Sequence, residues 1–87
     1  MRHSSYEMIK IIKNGNIYME KIVIKDEFIK LGQALKLAGL VDSGLEAKIE
    51  IKEGNVKVNG ETHFERGKKV YPGDVIEFDD IQIKVEN

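Results

Sequence analysis

Residues 48–74 constrain this chain more than any other stretch. They read Lys-Ile-Glu-Ile-Lys-Glu-Gly-Asn-Val-Lys-Val-Asn-Gly, then a polar passage, then Val-Tyr-Pro-Gly-Asp. Gly54 follows a helical pattern and suits its end, because a residue without Cβ turns left-handed at little steric cost. Val56-Lys57-Val58 alternates apolar and basic, the period of a half-buried strand. Asn59-Gly60 is a strong hairpin signal, since a two-residue turn of the favoured hand needs positive φ at both positions. Tyr71-Pro72-Gly73-Asp74 is a second turn, in which Pro sets φ at the first central position and Gly supplies positive φ at the second. A helix is therefore expected to feed a tight hairpin that carries Lys57, with the basic Arg66, Lys68 and Lys69 in the next connection.

Eighty-seven residues suit one domain with a modest core. No apolar run approaches the ~20 residues that span a bilayer, and no signal peptide is evident. The absence of cysteine excludes disulfides and thiolate metal sites, and fits a cytoplasmic protein. Fourteen basic and fifteen acidic side chains give a net charge of −1. Such a chain cannot coat nucleic acid by bulk charge, because that affinity comes from Lys and Arg neutralising phosphates. Nucleic-acid binding would require the basic groups to gather on one face.

In chain order, residues 1–18 read as an extension, either without fixed structure or forming an extra hairpin through Asn14-Gly15. The domain proper is expected over residues 19–87. Residues 20–25 hold Ile22, Val23 and Ile24 and read as a short strand at a sheet edge. Asp26 is a candidate cap for a helix over residues 28–40, where Leu31, Ala34, Leu35 and Ala38 recur at helical spacing, with Gly39 closing it. Ser43 and Glu46 have capping-box spacing for a second helix over residues 45–53. Its Lys48 and Lys52 share one side, with Glu46, Glu50 and Glu53 roughly opposite. Strands follow at 56–58, 61–64, 69–71, 75–78 and 81–85. The fold class is α+β: a helix pair packed on a small antiparallel sheet.

The sequence offers no catalytic constellation, metal-ligand set or cofactor motif, so no enzyme activity is expected. Ser43 has the position of a helix cap rather than of a nucleophile, and His63 stands alone. Phe64, Tyr71 and Phe78 are scattered along the chain, which does not suggest base stacking. The basic residues are more suggestive. Lys30, Lys48, Lys52, Lys57, Arg66, Lys68 and Lys69 could converge if the helix pair packs on the hairpin, and Asn59 adds an amide that both donates and accepts.

Residues 30–78 resemble the S-four RNA-binding domain, also called the alpha-L motif. The resemblance rests on Lys30-Leu31, Gly39-Leu40, Ser43, Glu46-Ala47-Lys48 and Ile51. It continues through Gly54-Asn55-Val56-Lys57-Val58-Asn59-Gly60 and Val70-Tyr71-Pro72-Gly73-Asp74-Val75-Ile76. Gly32-Gln33-Ala34-Leu35-Lys36 and Glu65-Arg66-Gly67-Lys68-Lys69 look most like the short free-standing bacterial members, the YaaA-like and YbcJ-like ribosome-associated proteins. The resemblance implies a non-catalytic protein that binds structured RNA, ribosomal in kind, with ribosomal proteins as further candidate partners. Carried over by position, it implicates Lys30, Lys48, Lys57, Asn59, Arg66, Lys68 and Lys69, and helical geometry adds Lys52. The chain departs from the pattern at Gly44, Gly32 and Glu65, where the family has Arg, Asp and Arg. Several other Arg positions are Lys, a point charge without a bidentate fork. The alternative reading is a protein-interaction module on the same fold, using its acidic side or a β edge.

Overall fold

The computed structural model describes residues 6–12 and 18–87. In chain order the elements are β1 (Tyr6–Ile12), β2 (Tyr18–Ile24), β3 (Ile29–Lys30), α1 (Leu31–Leu37) and α2 (Gly44–Lys52). They are followed by β4 (Val56–Val58), β5 (Glu61–Thr62), β6 (Lys69–Val70), β7 (Val75–Phe78) and β8 (Ile81–Glu86). One sheet runs β1-β2-β8-β7-β4-β5, and β3 and β6 form a separate two-stranded ribbon. The Asn14-Gly15 turn lies outside the described residues.

Two expectations about the sheet need correction. Residues 20–25 do not lie at its edge: β2 sits between β1 and β8. The sheet is also not wholly antiparallel, because β2 pairs in parallel with β8, from Tyr18 opposite Ile81 to Val23 opposite Glu86. Parallel pairing needs a long crossover between its strands, and here that crossover contains both helices. The sequence shows strand periodicity at both ends of the chain but not that the ends are neighbours.

A single buried cluster holds the elements together. The sheet contributes Ile22, Ile24, Val56, Val58, Ile76, Ile83 and Val85. The helices contribute Leu31, Ala34, Leu35, Ala47 and Ile51, and the ribbon contributes Ile29 and Val70. Alternation along β4 places Val56 and Val58 in this cluster and leaves Lys57 exposed.

The first helix is shorter than its apolar spacing suggested. Residues 29–30 form β3 instead, Ile29 is buried in the ribbon, and Lys30 is the N-cap residue with φ −77° and ψ 144°. No side chain caps the helix, so Asp26 does not play that part. The free amides of the first turn are satisfied by the loop before β6 instead. Leu31 N–H donates to the Lys68 carbonyl at 2.8 Å, and Gly32 N–H to the Arg66 carbonyl at 2.9 Å. Both helices end in a Schellman motif. Gly39 N–H donates to the Lys36 carbonyl and Leu40 N–H to that of Leu35, each at 3.0 Å. The corresponding bonds after α2 run from Gly54 to Ile51 and from Asn55 to Glu50.

The turns at Asn59-Gly60 and Pro72-Gly73 and the Ser43 cap are present as expected. Asn59 and Gly60 have φ of 53° and 85°, and Gly73 has φ of 100°. Ser43 Oγ accepts from Glu46 N–H at 3.1 Å, while the Glu46 carboxylate accepts from Asp42 N–H at 2.7 Å.

Candidate nucleic-acid interface

The 65–68 loop lies against the start of α1, and Gly32 permits that approach. A Cβ added at Gly32 would stand 3.1 Å from Cβ of Arg66 and 3.5 Å from its carbonyl oxygen. Few real contacts are that close, so a side chain here would press the loop outward. Arg66 itself reaches toward the start of α2, where a Cβ at Gly44 would be 3.8 Å from its Nη1. Gly44 offers no side chain, and the guanidinium of Arg66 occupies the space beside it.

A groove of about 400 Å³ opens between α1, α2 and this loop. Lys30, Gly32, Gln33 and Lys36 line it from α1 and its cap, Gly44 and Ala47 from α2, and Arg66 and Gly67 from the loop. Among these described residues three are cationic and none is acidic. A chain of net charge −1 thus presents a concave surface of one sign, which attracts anions more strongly than its total charge would indicate. The Arg66 guanidinium offers planar, two-pronged donors, and the lysines offer point charges on flexible stems.

The structure brings only some of the candidate residues together. Lys30 and Arg66 meet in the groove. Lys48 and Lys52 are exposed on α2 but do not line it. Lys57 lies on the outer face of the sheet, across from Glu77 on β7, in a shallow concavity shared with Asn55, Glu77 and Asp79. Strand alternation explains this: Val56 and Val58 take the helix-covered face, so Lys57 must take the other. Lys68 lines a separate hollow with Thr62, His63, Phe64 and Glu65. Lys69 projects from the ribbon, its Nζ 4.7 Å from the centre of the Phe28 ring.

Asn59 has its amide engaged within the fold. Its Nδ2 donates to Oδ1 of Asp74 at 3.0 Å, and its Oδ1 accepts from Val75 N–H at 3.0 Å. Asp74 also accepts from Tyr71 N–H through Oδ2 at 2.8 Å. The Val-Asn-Gly hairpin and the Pro-Gly-Asp turn are therefore bonded to each other through side chains. Sequence reasoning did not select Gln33 and Lys36 for the groove. Their spacing from Lys30, three residues apart along α1 and opposite Leu31, Ala34 and Leu35, was the available signal.

Comparison with known proteins identifies the family. The model of the S4 domain matches residues 22–86. The chain belongs to the S4 domain family. RlbA of Bacillus subtilis (strain 168), named a probable ribosome maturation protein, is 48% identical over 58 residues, covering 67% of this chain and 82% of that one. YbcJ of Escherichia coli (strain K12) is 39% identical over 54 residues, covering 62% of this chain and 77% of that one. The solution structure of YbcJ from E. coli, presented as an alfaL motif involved in RNA-binding, superposes with a TM-score of 0.61 at 31% identity. That match spans 88% of this chain and 96% of that one. The α+β architecture of this S4 domain, two helices over a mostly antiparallel sheet, is shared with that structure.

Proposed function

We propose that this S4 domain is a small non-catalytic RNA-binding protein that docks on structured RNA, ribosomal RNA or a ribosomal particle, in the bacterial cytoplasm. The observation that carries the reading is the groove in which Lys30, Lys36 and Arg66 converge with no acid among the residues lining it. Structured RNA is recognised chiefly through its backbone, 2′-hydroxyls and shape. A concave cationic surface with one guanidinium and an amide, that of Gln33, matches those features. Residues 19–87 form the binding unit, with residues 1–18 an extension to it. The relatives carry names tied to RNA binding and ribosome maturation, which supports a ribosomal target. Among the described residues no helix is long and apolar enough to cross a membrane.

The test is binding to structured ribosomal RNA fragments over a salt series, with the Lys30→Ala, Arg66→Ala double variant beside the wild type. Each phosphate contact contributes about 0.9 to the slope of log affinity on log salt. The double variant should lose about two units of slope while staying folded. An unchanged slope in a folded double variant would reject the groove as the site.

One observation favours a second reading. Leu45 and Ile49 are 66% and 46% exposed on the outward side of α2, next to Glu46, Glu50 and Glu53. An exposed apolar pair, with Lys48 and Lys52 along one side of it and the acids along the other, suits a protein partner, ribosomal proteins included. This reading gains if Leu45→Ser, Ile49→Ser abolishes association with ribosomal particles while free RNA binding persists.

A further inference from the structure

The β3–β6 ribbon carries side chains that the groove does not use. Ile29 pairs with Val70 and Lys30 with Lys69. Ile29 and Val70 are buried, so strand alternation puts Phe28, Lys30, Lys69 and Tyr71 on the opposite, outward face. The rings of Phe28 and Tyr71 are 5.9 Å apart between centroids and tilted at 53°. Lys69 Nζ stands 4.7 Å from the centre of the Phe28 ring, within the range of a cation–π contact. Tyr71 remains 44% exposed. Its backbone is fixed on both sides, because Tyr71 N–H donates to the Asp74 carboxylate and Asp74 N–H donates to the Tyr71 carbonyl at 2.9 Å. Phe28 and Tyr71 lie 43 positions apart in sequence (71 − 28), so the chain alone gives no sign of the pair.

Lys30 belongs to both surfaces. It lines the cationic groove and stands on the ribbon opposite Lys69. We propose that Tyr71, backed by Phe28 and flanked by Lys69, is a stacking platform for one unpaired nucleobase of an RNA whose helical part lies in the groove. The inference rests on the RNA-binding reading of that groove. Three features select a nucleobase. The exposed ring offers a flat face of the kind on which bases stack irrespective of their identity. The adjacent ammonium groups of Lys69 and Lys30 are suited to the phosphates on either side of such a base. The turn fixes the Tyr71 backbone and the Phe28 ring packs beside the Tyr71 ring, so the platform is partly preorganised for stacking. The preferred RNA is then a helix bearing an unpaired nucleotide, such as an overhang or a bulge, rather than a blunt duplex.

The experiment compares a blunt RNA hairpin with the same hairpin carrying a short unpaired adenosine tail, at either end in turn, using the full chain. The wild type should prefer a tailed form by about 5- to 150-fold, the range expected for stacking one base. Tyr71→Leu should bring that ratio close to one, and Tyr71→Phe should preserve it. The chain contains no Trp, so Tyr71→Trp provides a single reporter whose fluorescence the tailed hairpin should quench and the blunt one should not. Tyr71→Phe and Tyr71→Trp retain a ring against Phe28, so the comparison holds even if Tyr71→Leu folds poorly. Equal wild-type affinities for blunt and tailed RNA, or a ratio unaltered in folded Tyr71→Leu, would overturn the platform and leave the groove reading intact. Failure of the wild type to bind either RNA at low salt would overturn the groove reading and the platform with it.

Discussion

The helix-pair groove and the hairpin end of the sheet are both polar and exposed, yet they are built on opposite principles. At the hairpin end the polar groups serve one another. The Asn59 amide bonds to Asp74 and Val75, and Lys57 stands among Glu77 and Asp79. In the groove Lys30, Lys36 and Arg66 face open space with no acid beside them in its lining. The hairpin end carries the residues that mark the family most distinctly in sequence, Val-Asn-Gly and Pro-Gly-Asp. The groove depends on residues whose spacing is loose and whose types are common. A distinctive motif in this chain thus identifies the frame, and the candidate contact surface is formed by side chains that the frame merely positions.

Removing what both regions stand on should have the largest effect. Ile51 is fully buried on the inner side of α2, and Ile51→Ala should cost about 2–5 kcal/mol through lost burial and the remaining cavity. A urea titration would register it as a lower midpoint. Next is Gly32→Leu, which crowds the Arg66 backbone and should cost about 1–3 kcal/mol. It should also weaken RNA binding in the fraction that stays folded, because the loop moves. Arg66→Glu should then lower RNA affinity by about tenfold or more at low salt, a difference of about 1.4 kcal/mol, with little change in melting temperature. Asn59→Ala should show the reverse, a loss of about 1 kcal/mol in stability and an unchanged salt slope. The smallest effect belongs to Lys57→Ala, within about 0.5 kcal/mol in stability and with no change in slope. If Lys57→Ala instead flattened the slope, the two regions would share the work of binding and the contrast would fail.

Much of the fold was legible because local chemistry determined it. Asn59-Gly60, Pro72-Gly73 and Ser43 with Glu46 each require one backbone geometry, and each adopts it. The start of α1 was less legible. Leu31, Ala34, Leu35 and Ala38 mark an apolar face, but nothing nearby in sequence shows that the carbonyls of Arg66 and Lys68 will take the first amides. The same distance in sequence hid the groove. Lys30 and Arg66 meet because the loop docks on α1, whereas Lys57 is separated from them by a strand alternation that was visible in the sequence. The pairing of β2 with β8 had no local signal at all.

That pairing bears on the order in which the molecule can form. Ile83 and Val85, both fully buried, lie on β8, and β8 is flanked by β2 on one side and β7 on the other. Partners separated by most of the chain are slow to find one another, because a long loop must close before the contact forms. During synthesis the helices and the β4–β5 hairpin can emerge and begin to form while β2 still lacks its inner neighbour. Completion of the core then waits for residues 81–86 to clear the ribosome.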